Sequence, residues 1–174
     1  MLNESKTNGI LHLHSEHSVR DSAMKLSTMV LRAKEMGKTS LTLTDHGNLV
    51  GVYEFMKIAK DNEINGIPGV EAYFCGDGTK EKRHLILMPK NIDGFRAISK
   101  AVTQSNENLY NGFPRMTWAI LDENFGKGSR GENNIFATSA CMNGVLAAII
   151  LKNNETHKKI ASLNKKALKY SPVN

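Results

Sequence analysis

The sequence predicts an α/β fold of repeated strand–helix units around a mostly parallel sheet, and three observations carry that reading. Short apolar runs alternate along the chain with segments whose apolar residues recur at helical spacing. No internal repeat or low-complexity stretch interrupts that alternation. Residues of metal-ligand type fall where the strands end, which is where parallel α/β sheets assemble their sites.

Ile10 to His14 reads as the first strand. Leu26, Met29, Val30, Ala33 and Met36 follow at helical spacing, with Gly37 as the stop. Leu41 to Thr44 is the second strand, and a helix from about Val50 to Ala59 is expected to bury Val50, Phe55 and Ile58 before the turn at Asn65-Gly66. A third strand over Ile67 to Phe74 places Glu71 near the middle or mouth of the sheet. His84 opens a fourth, Leu85 to Met88, which Pro89 closes. A helix begins at Ile92, with Phe95 and Ile98 inward. Asn106 to Gly131 reads as irregular, apart from a short apolar stretch from Trp118 to Leu121. Ile135 to Thr138 is the fifth strand, with Cys141 beyond its end, and helices over Val145 to Leu151 and Ile160 to Leu168 complete the chain.

Composition bounds the function classes. At 174 residues, 40% hydrophobic and 23% charged, the chain suits one globular domain with a real core. No apolar run approaches the length of a bilayer span, and the polar start Met1 to Lys6 has no signal-peptide core, so a cytoplasmic protein without a membrane partner is expected. Cys75 and Cys141 could form at most one bridge, which agrees with a reducing compartment. A net charge of +6 permits contact with a polyanion such as DNA. It does not demonstrate one, because the basic residues are spread out and the densest cluster, Lys80 to Arg83, lies in a loop-like stretch.

His12 and His14 are one strand repeat apart, so both project from the same face while Leu11 and Leu13 pack the other way. Two neutral imidazoles so placed can grip one divalent ion, although surface strands also carry paired histidines for solvation alone. Adding Asp21, His46, Glu71, His84 and Cys141 gives seven ligand types at successive strand ends. A carboxylate such as Glu71 can bridge two ions, and adjacent ions share the work of binding a phosphate and activating a water, so phosphoester hydrolysis is the natural chemistry. Taken singly, Asp21 could instead cap the following helix, and Cys141 and Cys75 could be small buried hydrophobes. Cysteine and histidine favour zinc, while the carboxylates also admit manganese, iron or magnesium.

In order and spacing, Leu11 to Asp21 (LHLHSEHSVRD), Leu43 to Asn48 (LTDHGN), Gly69 to Tyr73 (GVEAY), His84 to Asn91 (HLILMPKN) and Thr138 to Gly144 (TSACMNG) resemble the PHP (polymerase and histidinol phosphatase) domain, in the form found at the N-terminus of bacterial DNA polymerase III alpha subunits. The resemblance implies a seven-stranded distorted β/α barrel, incomplete in this chain, with about five strands present. Residues 1–174 would be a PHP domain truncated before its last two strands, since the final Asp-x-His pair of the family is absent after Cys141. It implies up to three ions: His12, His14 and Glu71 on one, Asp21 and His46 on a second, and Glu71, His84 and Cys141 on a third. Glu71, His46 and Asp21 would be the catalytic residues. His17 stands where an aromatic is usual, as a stray ligand or a surface imidazole.

The implied enzyme is a DNA-directed DNA polymerase subunit with a PHP phosphoesterase of 3′-5′ exonuclease type. Polymerisation itself is not expected of these residues, because the family's polymerase aspartates lie in later domains. The implied partners are DNA, the remaining polymerase domains or a second chain supplying the missing strands, and a proofreading subunit. Two other readings stay open, a non-catalytic module that holds other parts of the polymerase and a phosphatase or pyrophosphatase on small molecules. With two strands missing, unpaired edges beside an apolar interior lead us to expect an isolated chain that is marginally stable or self-associating.

Overall fold

A computed structural model describes residues 9–76, 81–155 and 158. Strand β1 (Gly9–Ile10) leads through a loop with turns over residues 16–21 into α1 (Leu26–Glu35), followed by β2 (Ser40–Leu43), α2 (Val52–Asp61), β3 (Asn65–Pro68), β4 (Val70–Phe74), β5 (Arg83–Pro89), α3 (Ile92–Glu107), α4 (Trp118–Phe125) and β6 (Ile135–Thr138). A further helix covers 145–155. The expected helix over Ile160 to Leu168 lies outside the described residues.

The strands form two sheets. In the first, β1 pairs with β2 and β2 with β3, all parallel. In the second, β4 pairs with β5 and β5 with β6, all antiparallel. The expectation of a mostly parallel sheet therefore holds for only half of the strands. The link from Phe74 to Arg83 explains part of this: it is too short for the crossover helix that a parallel pair requires, so β5 returns antiparallel to β4. No closed barrel forms among the described residues. The sheets communicate through a parallel bridge between His46 and Glu71 and through the chain itself, where β3 becomes β4 at Gly69.

The single strand expected over Ile67 to Phe74 is thus two, and the first strand is shorter than expected. Residues 11–15 run extended beyond β1 without a regular ladder. They are tied to the second strand's continuation by Leu13, whose N–H donates to Thr44 Oγ1 at 2.9 Å and whose carbonyl accepts from Thr44 N–H at 2.9 Å.

The helices follow local chemistry. At the end of α1, Gly37 takes a left-handed φ of 68°, its N–H donates to the Lys34 carbonyl, and the Lys38 N–H donates to that of Ala33, closing the last turn. Arg32 and Lys34 suit the negative end of that helix. Asn91 caps α3 by accepting from Gly94 N–H at 3.0 Å. Thr117 caps α4 in the same manner, which turns the stretch read as irregular into a helix starting at Trp118.

Two apolar clusters fix the sheets. Leu26, Met29, Val30 and Ala33 of α1 and Phe55 and Ala59 of α2 cover Leu41 and Leu43 of β2. Val70, Ala72 and Leu87 of the second sheet pack against Ile98, Ala101 and Val102 of α3, with Met116 and Ile120. Val50 and Met36 are corrections to the expected core: Val50 precedes α2 and is 72% exposed, and Met36 caps α1 in solvent. Cys75 is the buried small hydrophobe expected of it; burial pushes its thiol pKa up, against the opposing pull of Arg115 and Lys82. No helix among the described residues is long and apolar enough to cross a membrane. An apolar cavity of about 1230 Å³ lies between the sheets, lined among others by Leu11, Val52, Met56, Ile67, Phe95 and Phe136.

Gly69 sits where the sheets meet, and a Cβ there would lie 3.1 Å from the Leu87 carbonyl oxygen and 3.2 Å from that of Leu43. Both oxygens belong to the backbone of paired strands, so the few tenths of an ångström of relief must come from the ladders themselves. Gly69→Ala is expected to destabilise the protein by about 1–3 kcal/mol, as overpacking does in a tight core, measured as a lower urea midpoint at unchanged slope.

Candidate metal centre

Four histidines from three chain segments converge on the Glu71 carboxylate. In β4 the side chains alternate, so Val70 and Ala72 enter the core while Glu71 and Tyr73 face the other way. Glu71 is 1% exposed. Its Oε2 lies 2.9 Å from His12 Nε2, 2.8 Å from His14 Nε2 and 3.5 Å from His46 Nδ1, and its Oε1 lies 2.9 Å from His84 Nδ1. His12 and His14 bring their Nε2 atoms within 3.0 Å of each other, as the strand-repeat spacing anticipates.

The remaining expected residues join the same rim. His46 Nε2 is 3.2 Å from Asp21 Oδ2, which is 3.7 Å from His14 Nε2. Asp21 therefore does not cap α1, whose N-cap is Lys25. Cys141, on the exposed turn beyond β6, places its Sγ 3.3 Å from His84 Nδ1 and 3.7 Å from Glu71 Oε1. Three sets of donor atoms are close enough to share an ion: His12, His14 and Glu71; His14, Asp21 and His46; and His46, Glu71 and His84. His14 and His46 thus each enter a further set beyond those expected. His17 belongs to no set; its ring lies against Gly51.

The donor chemistry suits a cation. Two ligands of one tetrahedral zinc at about 2.0–2.1 Å sit roughly 3–3.5 Å apart, close to the spacings around Glu71. His46 Nδ1 is buried and has no hydrogen-bond partner, leaving an orphaned ring nitrogen beside two other ligand-type groups.

Sequence reasoning missed the buried scaffold beneath this rim. Asp45 is 2% exposed and its carboxylate accepts three hydrogen bonds at 2.7 Å, from Ser15 N–H and Ser15 Oγ–H and from Ser18 Oγ–H. Ser18 Oγ also lies 3.0 Å from the His46 amide nitrogen and 3.1 Å from His14 Nδ1. Tyr73 stacks on His46 with ring centroids 5.1 Å apart and 7° between planes. The alternation within β4 could have revealed Tyr73, but nothing in residue spacing marks Ser18.

Electrostatics separate the histidines. Burial disfavours the charged form of His14, yet the hydrogen bond and charge of Glu71, aided by Asp21 and Asp45, carry its pKa above 6.5. Burial lowers the pKa of His46, and repulsion from His14 and His84 reinforces it against the pull of Glu71 and Asp21. Burial works to raise the Glu71 pKa, but hydrogen bonds from His14, His84 and His12 hold its carboxyl far below the usual carboxylate range.

These directions fix the sign of the pH dependence of the ion-free protein. His46, depressed in the fold, opposes folding below about 6.5, so its contribution rises as pH approaches that value. His14, raised in the fold, contributes fully below about 6.5 and loses that contribution as pH rises through its folded pKa. Urea denaturation in excess chelator should therefore show their joint contribution to stability peaking near pH 6.5. Glu71→Gln should flatten the falling limb, because it removes the charge that raises His14.

A sequence profile of the PHP domain matches residues 11–172. The chain is 34% identical over 164 residues to the DNA polymerase III subunit alpha of Helicobacter pylori, covering 91% of this chain and 13% of the relative. It is 36% identical over 152 residues to that of Borreliella burgdorferi, covering 82% and 13%. For that of Aquifex aeolicus, identity is 33% over 149 residues, covering 78% and 12%. The chain thus spans about 13% of the length of the first of these curated relatives. A solved amidohydrolase from Chromobacterium violaceum superposes with a TM-score of 0.48 at 24% identity, over 59% of this chain and 34% of its own. Because the profile match begins at the segment carrying the paired histidines and runs on nearly to the C-terminus, the chain belongs to the PHP domain family.

Proposed function

We propose that this chain is the metal-binding PHP domain of a DNA polymerase III alpha-like replicative polymerase and that it hydrolyses phosphoesters, with the 3′ end of DNA as substrate. The observation that carries the proposal is the convergence of His12, His14, His46 and His84 on the single buried carboxylate of Glu71. In this reading His12, His14 and Glu71 would hold one ion, Asp21 and His46 a second, and Glu71, His84 and Cys141 a third. The set fits zinc first, with manganese, iron or magnesium as the other candidates. Bound divalent ions would supply Lewis acidity toward a phosphoryl oxygen and lower the pKa of a water.

The chain's own groups do the rest. Glu71, kept ionised, orients three imidazoles at once. His46, biased towards its neutral form by burial, has one lone pair to offer and one N–H to give. Asp21, half-exposed at the rim, can accept a proton from an entering water at Oδ2 and is steadied there by His46 Nε2. The net charge of +6 suits a polyanionic substrate. DNA, the remaining polymerase domains and a proofreading subunit are the proposed partners, and the relatives' common name supports the first two.

The test is nucleotide release from 3′-end-labelled single-stranded DNA by the metal-loaded chain. Release that is abolished by a chelator and by Glu71→Gln supports hydrolysis. Stoichiometric metal without release would reassign the centre to holding the polymerase together. Release from mononucleotides or pyrophosphate alone would make it a small-molecule phosphatase.

Metal content checks the bridging role separately. Glu71→Gln loses a charge in two of the three donor sets and should lower zinc content per chain more than Asp21→Asn, which touches one. Elemental analysis returning equal content in the two variants would count against bridging.

A further inference from the structure

Beneath the rim, the hydrogen bonds around Ser18 admit only one arrangement of protons. A serine hydroxyl has one proton to give and two lone pairs to receive. The Asp45 carboxylate can only accept, so the 2.7 Å contact uses the Ser18 proton. The His46 amide can only donate, so its 3.0 Å contact fills one lone pair. His14 Nδ1, at 3.1 Å, must then donate to the other. A neutral His14 with its proton on Nδ1 carries its free lone pair on Nε2, the atom that lies among His12, Glu71 and Asp21.

We infer that Ser18 and Asp45 are positioning residues of the metal centre: Asp45 takes the Ser18 proton, Ser18 takes the Nδ1 proton of His14, and His14 is thereby locked with Nε2 aimed at the ion. The inference rests on the reading of the rim as a metal centre. The relay does the work that a carboxylate in direct contact with a metal-bound histidine commonly does, with one hydroxyl interposed. Its geometry is firmly held. Ser15 supplies both of its donors to the Asp45 carboxylate, and Ser15, Ser18 and Asp45 are all buried, so water does not compete for the hydroxyl. The same hydroxyl receives the His46 amide, so one oxygen sets the ring of one proposed ligand and the backbone of another.

Ser22 provides the control. Its hydroxyl donates to the His14 carbonyl at 2.9 Å and so steadies the same residue without touching the ring. The experiment uses the full chain labelled with ¹⁵N-histidine and loaded with zinc, because without an ion His14 Nε2 donates to Glu71 and carries a proton of its own. Long-range ¹H–¹⁵N correlation reads which nitrogen of His14 carries the proton, and competition with a chelating dye reads zinc affinity. Wild type should show His14 protonated at Nδ1. Ser18→Ala should lose that preference and bind zinc about 10- to 100-fold more weakly, the usual penalty for removing such a partner. Asp45→Asn, nearly isosteric, should act in the same direction and serves if Ser18→Ala folds poorly. Ser22→Ala should leave both readings unchanged.

Zinc affinity within twofold of wild type in Ser18→Ala and Asp45→Asn, with His14 still protonated at Nδ1, would overturn the inference. So would an equal loss in Ser22→Ala, which would mean general loosening of the segment. Failure of wild type to bind zinc would overturn the metal-centre reading instead, and the relay would then stand or fall on the proton position alone.

Discussion

A carboxylate buried without compensation is among the most unfavourable groups a fold can contain, and the geometry of this protein is arranged around one. Taking such a charge out of water costs several kcal/mol even after relaxation. Glu71 offsets that cost with contacts from four histidines that come from separate segments: the extended run after β1, the continuation of β2, and the start of β5. His84 is brought there by the pairing of β5 with β4, and His46 by its parallel bridge to Glu71. The helices packed on those sheets, through core residues such as Phe55 and Ile98, hold the strands that present the imidazoles.

Asp45 is the counterpart of Glu71 on the other side of the histidines. Both are buried acids, but Asp45 draws its hydrogen bonds from hydroxyl and amide donors with no imidazole among them, whereas Glu71 draws its partners almost wholly from imidazoles. The consequence is a division of labour. One acid freezes the turn over 15–18 and the backbone at His46, and the other collects the side chains that turn presents. Neutral donors hold Asp45, while around Glu71 the pKa of His14 is raised and that of His46 lowered.

Much of this was readable in the sequence. The alternation of Leu11, His12, Leu13 and His14 correctly placed both imidazoles on one face, although the segment proved to be extended chain outside a ladder. The helical spacing of Leu26, Met29, Val30 and Ala33 identified the buried face of α1. What the pattern could not reveal were properties of chain reversal. Whether β5 runs with or against β4 depends on the length of the link between them, and the division of 65–74 into two strands depends on the close approach of backbones at Gly69. Val50 reads as apolar and periodic, yet lies before the N-cap of α2, where periodicity does not apply. The Ser15, Ser18 and Asp45 network was invisible for a different reason: its residue types are the commonest in turns, and only burial distinguishes a scaffold from a solvated loop.

The direct succession of β3 in the first sheet by β4 in the second has a consequence for motion. Proteins open in cooperative units, and a region confined to one unit can fray while the rest stays intact. Here β3 belongs to the parallel sheet, β4 to the antiparallel one, and Glu71 stands two residues past their junction, its N–H donating to the Asp45 carbonyl and its carbonyl accepting from Gly47 N–H. Opening either sheet pulls on that residue, and opening both is global unfolding. The Glu71 amide is therefore expected among the slowest-exchanging hydrogens of the molecule. The polar centre, which in many proteins sits on the most mobile loops, is built in this one at the seam where two cores are stitched together.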